Sequence, residues 1–207
     1  MLTIYGRLDS GNCYKPRLLL ALLGRSFIHV EVNSEAGETR SAEFLSKNPN
    51  GKVPLLQLED GRFLAESNAM LVHLGEGTAF LPEDPFERAK MFEWLFFEQY
   101  SHEPFIAVRR ALLLYPGRKA QATPERLDAT LKGGEAALSI MDRQLKETPF
   151  LAGNAPSLAD LALFAYSHVA DEGGFDLDAF PGVANWLRRV VALPGFQPMN
   201  WLPERAS

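Results

Sequence analysis

The sequence predicts an α/β domain followed by an all-α domain. Three observations carry this. The first third alternates strand-like and helix-like runs. A stretch rich in glycine, proline and acids follows it. Everything beyond that stretch has helical spacing.

Taken in order, "LTIY" is a short β-rich run. "KPRLLLALLG" reads as a helix stopped at Gly24, the residue type favoured just past a helix end. "FIHVEVN" alternates and reads as a strand, and "RSAEFLSKN" as a short helix. "VPLLQL" and "RFLA" are strand-like runs joined around Glu59-Asp60-Gly61, and an Asp-Gly pair between apolar runs signals a hairpin. "SNAMLVHLG" is a helix that again stops at glycine. The order β-α-β-α-β-β-α implies a mixed sheet with helices packed on it. "GEGTAFLPEDPFE" reads as a linker. One long helix is predicted over Phe86–Leu114, kinked at Pro104, which removes a backbone donor. Others run from Pro124 to about Lys146, from near Ser157 and from near Pro181. The expected division is 1–75, a linker over 76–85, and 86–207.

Composition narrows the function classes. The 207 residues carry a formal net charge of −5, which disfavours nucleic acid and anionic membranes as partners. A single cysteine allows no internal disulfide and fits a reducing, cytoplasmic location. The first ten residues lack the features of a signal peptide, and "LLLALL" is far shorter than a membrane span. The four histidines have no metal-ligand spacing, and no glycine-rich phosphate loop is present, so neither metal nor nucleotide is expected.

The stretch "SGNCYKPRLLLALLG" (10–24) holds the first candidate chemistry. Pro16 belongs in a first helical turn, which puts the N-cap near Asn12 or Cys13. Unsatisfied N–H groups and the positive helix end then face a small anion, including a thiolate. Lowering a thiol pKa from about 8.5 to about 6.5 requires roughly 2.7 kcal/mol. One hydrogen bond to a charged group supplies ~1.5–3 kcal/mol, and a helix terminus adds ~0.3–1. The Ser10 hydroxyl and the helix end therefore suffice without a general base. The competing reading of Ser10 is a plain cap, and of Cys13 a low-pKa nucleophile. Further on, Val53 precedes proline and must be extended. Ser67, at a helix start, offers a hydroxyl and an N–H to a carboxylate, or simply caps.

The element order, with "NPNGKVP", "DGRFLAES", "FLAGNAPSLADLALF" and "FPGVANWLRRVVALPGF", resembles the cytosolic glutathione transferase superfamily over nearly the whole chain. The resemblance implies a thioredoxin-like first domain, a helical-bundle second domain and a homodimer. It implies glutathione as co-substrate and a small apolar electrophile as the second substrate, in a detoxifying conjugation. Val53, before a cis Pro54, would pair its backbone with the cysteinyl unit of glutathione. Glu66 and Ser67 would hold the γ-glutamyl end, and Lys52 would approach the glycyl carboxylate. The catalytic serine of theta- and delta-like members matches Ser10. Cys13 matches a second functional serine of zeta-like members, and Asn12 matches the cysteine of beta-like members. Ser10 ranks first, then Cys13, Asn12 and Tyr5. Tyr100, Pro104 and Val108 share a helical face by spacing and are the expected electrophile pocket. His102 is either an acid or a structural group. Ser157 and Asp160 form a capping box, and Asp160→Ala is expected to lower stability by about 1 kcal/mol. The alternatives are a non-catalytic glutathione-binding regulatory module and a glutathione-dependent thiol–disulfide oxidoreductase.

Overall fold

The structure is a computed structural model that describes residues 1–203; the expected end of the helical domain at 207 lies outside them. The chain divides into two compact units. One is Met1–Glu76 together with the final segment from Leu193, and the other is Gly77–Ala192.

The first unit runs β1 (Thr3–Gly6), α1 (Gly11–Leu22), β2 (Ile28–Glu31), α2 (Ala42–Lys47), β3 (Leu55–Gln57), β4 (Phe63–Ala65) and α3 (Ser67–Gly75). Its sheet has the order β2-β1-β3-β4. β1 and β2 are parallel, which requires the crossover that α1 provides; β1–β3 and β3–β4 are antiparallel. Glu59-Asp60-Gly61 makes the predicted hairpin. Leu58 N–H donates to the Arg62 carbonyl at 2.8 Å, and Gly61 takes the left-handed conformation (φ 88°) that closes a three-residue loop. Val32, Phe44 and Leu55 form a core on one side of the sheet, with Tyr5, Val53, Phe63 and Ala65 packed on it. β1 and β4 end at the turns that lead into α1 and α3, where the candidate site begins.

The final segment corrects the expectation that everything after residue 86 belongs to the helices. The Tyr14 hydroxyl donates to the Gln197 carbonyl at 2.5 Å, and Phe27 meets Trp201 edge-on at 6.2 Å. These contacts bind the segment to the first unit.

The second unit runs α4 (Pro85–Phe97), a π-helical turn (Glu98–His102), α5 (Glu103–Leu114), α6 (Pro124–Glu147), α7 (Leu158–Ser167) and α8 (Pro181–Val191), with short 3-10 turns between. The expected linker is partly docked here: Leu158 N–H donates to the Phe80 carbonyl at 2.9 Å, and Leu81 is buried. Asp84 caps α4, accepting from Phe86 and Glu87 N–H at 3.0 Å. The predicted kinked helix over Phe86–Leu114 is instead two helices joined by the π turn. Pro104 supplies no N–H and crowds the carbonyl four residues back, at Tyr100. The wider turn accommodates this, with Glu103 N–H bonded to the Glu98 carbonyl, five residues back.

Asp160 is 0% exposed and does more than cap α7. Its Oδ2 accepts from Ser157 N–H (2.8 Å) and Ser157 Oγ (3.0 Å), and its Oδ1 from Leu151 N–H and Trp186 Nε1 (both 2.9 Å). It therefore ties α7, α8 and the turn before α7 together. Among the described residues no helix is long and apolar enough to cross a membrane.

Candidate active site

The site is built where α1 and α3 start beside the sheet. Ser10 is the N-cap of α1, with extended backbone (φ −89°, ψ 123°), and its Oγ accepts from Cys13 N–H at 3.4 Å. The cap expected at Asn12 or Cys13 therefore lies two to three residues earlier. Pro16 sits in the second turn, not the first. One extended residue with a hydroxyl is enough to start the helix at Gly11, and the cost is a single bond that residue 16 cannot donate to the Asn12 carbonyl.

The loop carrying Ser10 is pinned at the backbone of Leu8. Glu31, on β2, accepts from Leu8 N–H at 3.1 Å. Buried Arg17 donates from Nη2 to the Leu8 carbonyl at 2.7 Å, and from Nε to the Cys13 carbonyl at 3.2 Å. A charged group of each sign holds the backbone on either side of the Leu8 Cα, so Ser10 is presented by a fixed loop.

Cys13 must be corrected. It is 0% exposed and packs on β1, where a Cβ on Gly6 would lie 2.7 Å from its Sγ. Burial is the largest effect on its thiol and pushes its pKa up, against hydrogen bonding from Ser10 that lowers it. A protonated, enclosed thiol neither attacks nor binds a ligand. Iodoacetamide at neutral pH is expected to leave Cys13 unmodified in the folded protein and to alkylate it in denaturant. Rapid labelling of the native protein by mass spectrometry would restore it to the site.

Tyr5 also points elsewhere, donating to Gln57 Oε1 at 2.9 Å. Asn12, half-buried, accepts from Ser67 Oγ at 3.3 Å. This bond joins the starts of α1 and α3 and brings two of the predicted residues together. The Val53–Pro54 peptide is cis, with Val53 half-buried. Lys52 is exposed, and its carbonyl accepts from Asn48 Nδ2 at 2.7 Å.

Glu66 is the one non-glycine residue with positive φ among the described residues (φ 67°). Such a conformation costs roughly 1–3 kcal/mol, and this one stands at the N-cap of α3, in the pair expected to hold a ligand. Glu66→Gly is expected to raise the unfolding free energy by about 1 kcal/mol while weakening glutathione binding. A calorimetric comparison showing neither change would remove the link between strain and ligand.

Sequence reasoning missed Lys15. It is 0% exposed, and its Nζ donates to Ser67 Oγ at 3.2 Å and Asn68 Oδ1 at 3.1 Å. A signal was present: Lys15 and Arg17 are two residues apart on a helix and cannot share one solvent face with each other.

In the second unit, Pro104 and Val108 lie half-buried on α5, whereas Tyr100 is 85% exposed within the π turn. The spacing of four holds only for an uninterrupted α-helix, so Tyr100 does not share their face as predicted. His102 is buried and structural, with Nε2 2.9 Å from Ser167 Oγ. Trp94 and Phe97 of α4 and Ile140 of α6 line a groove on this unit, rimmed by Glu93, Arg143, Gln144 and Glu147. Among the described residues no cluster of His, Cys, Asp or Glu is arranged to hold a metal ion.

Comparisons with known proteins cover both units. The family model "Glutathione S-transferase, N-terminal domain" matches residues 1–76, and "Glutathione S-transferase, C-terminal domain" matches 105–194. A crystal structure of a glutathione S-transferase from Pseudomonas fluorescens is 49% identical, with a TM-score of 0.92, covering 96% of this chain and 98% of that one. A maleylacetoacetate isomerase of Rhizobium meliloti is 29% identical over 99% of this chain and 97% of its own length. A glutathione S-transferase of Escherichia coli is 24% identical over 98% of this chain and 99% of its own.

Proposed function

Because this chain belongs to the glutathione transferase superfamily, we propose that it conjugates glutathione to a small apolar electrophile, with Ser10 stabilising the thiolate. The observation that carries the reading is the junction of α1 and α3, where Ser10, Asn12 and Ser67 gather at two helix starts. Ser10 Oγ accepts the Cys13 N–H, which leaves its own hydroxyl hydrogen to donate. The proposed ligand lies with its γ-glutamyl end on Glu66 and Ser67. Its cysteinyl backbone pairs with Val53 beside Pro54, and its glycyl carboxylate lies near Lys52. The thiol proton leaves to solvent. The sulfur then bonds to carbon, and the electron pair departs with the leaving group or into the activated double bond. Pro104 and Val108, with Tyr100 nearby, are the proposed electrophile contacts.

Calorimetry with glutathione, followed by an aryl-halide assay, tests the reading. Binding with turnover is expected; binding without turnover would favour a regulatory module, and no binding would end the proposal. Because one relative is named an isomerase, the assay also follows glutathione itself, which conjugation consumes and isomerisation returns. The thiol–disulfide reading through Cys13 is disfavoured by its burial. A homodimer is proposed from the exposed aromatics Phe86 and Phe96 on α4. Light scattering should give twice the chain mass of 23.0 kDa, and a monomer would overturn it.

A further inference from the structure

Lys15 lies one turn into α1 and is fully buried. A buried ammonium is tolerated only where hydrogen bonds replace its water. Two of those bonds reach the first turn of α3, at Ser67 Oγ (3.2 Å) and Asn68 Oδ1 (3.1 Å). An ammonium only donates, so both oxygens accept from it. Ser67 is the first residue of α3, and its backbone N–H has no partner inside the helix. The positive helix end, that N–H and a full positive charge therefore coincide at Ser67. Any atom within hydrogen-bond reach of Ser67 Oγ lies within about 6 Å of Lys15 Nζ, a range over which opposite charges attract and like charges repel. Glu66, the residue before Ser67, is exposed and makes no side-chain cap. A buried cation thus touches the first residue of α3, and an exposed acid precedes it.

We propose that Lys15 is a positioning residue for the α-carboxylate of the ligand's γ-glutamyl end. It holds Ser67 and Asn68 in place and sets a fixed positive charge behind them. The start of α3 then accepts a carboxylate and turns an ammonium away, toward Glu66. This rests on the glutathione reading above, which brings the γ-glutamyl end to Glu66 and Ser67 but gives Lys15 no part. At about 6 Å and an effective dielectric near 20, the attraction between two unit charges exceeds thermal energy several-fold. The same pair in bulk water would count for little, so the burial of Lys15 is what gives its charge reach.

Calorimetry compares glutathione with two analogues, one whose α-carboxylate is converted to a neutral amide and one that lacks the α-amine. Lys15→Met is expected to weaken glutathione and the deaminated analogue about tenfold, and the amide less than about twofold. A displaced α3 with no charge effect would weaken all three alike. Lys15→Gln, which keeps N–H donors and drops the charge, should give the same pattern, and it serves as the test if Lys15→Met does not fold. In the aryl-halide assay the loss should fall on KM for glutathione, with kcat at saturation changed less than about twofold. Equal losses for all three ligands, or unchanged affinity for glutathione, would overturn the proposal and leave the glutathione reading standing. If the wild-type protein binds none of the three, the glutathione reading fails and this proposal fails with it.

Discussion

Asp160→Ala is expected to lower the unfolding free energy by about 4 kcal/mol, several times the roughly 1 kcal/mol of an ordinary cap. The sequence places Asp160 in a capping box with Ser157, and that alone supports the smaller number. The structure adds Leu151 N–H and Trp186 Nε1, both donating to Oδ1 at 2.9 Å in the interior. Alanine strands three N–H donors, those of Ser157, Leu151 and Trp186, where water has little access. Each stranded donor costs about 1–3 kcal/mol. Opposing this, burial of the carboxyl is itself unfavourable and raises its pKa, and alanine escapes that cost. The net therefore falls short of the full sum. The thermal midpoint should drop by roughly 8–16 °C, using about 2–4 °C per kcal/mol for a chain of this size. Asp160→Asn, which retains the Oδ1 acceptor, should lie between. A loss of only about 1 kcal/mol in Asp160→Ala would mean that the bonds to Leu151 and Trp186 are replaced by water at no cost.

That contrast shows what kind of information the sequence holds. The hairpin was legible because Asp60-Gly61 encodes its own turn. The capping box was legible because its partners are three residues apart. Local chemistry wrote both signals. Asp160 as a hub was not legible, since Trp186 reaches it from 26 residues away. The π turn was hidden for a related reason: Pro104 announces a break, but only packing decides whether the chain kinks or widens. At the site, "VP" and "ES" stood out through the family resemblance, and they coincide with two backbone features, the cis Val53–Pro54 peptide and the positive φ of Glu66 at the start of α3. Lys15 and Arg17 escaped notice because charged side chains on a helix usually face water. Here both are buried, one reaching α3 and the other the Leu8 carbonyl. A different local rule misplaced the helix start, because proline's preference for a first turn was outweighed by the extended Ser10 cap.

Ser10→Ala should lower kcat/KM for conjugation at neutral pH by roughly tenfold to a hundredfold, the equivalent of one hydrogen bond to a charged group at ~1.5–3 kcal/mol. The direction follows from ionisation. A hydroxyl that donates to the thiolate favours the charged form and lowers the pKa of bound glutathione. Removing it moves that pKa up toward the free-thiol value near 8.5. The deficit should therefore be largest at and below neutral pH and should close as pH rises past the free-thiol value. Structural damage would instead persist across the pH range. The capping bond argues for a clean result, because at 3.4 Å it is long, and its loss belongs at the low end of the cap range, about 0.5 kcal/mol. Ser10→Thr keeps the hydroxyl and should retain most of the activity. An Ser10→Ala protein with an unchanged pH profile would remove Ser10 from the chemistry. Combined with a loss in Asn12→Ala, it would move the thiolate contact two residues along, to Asn12.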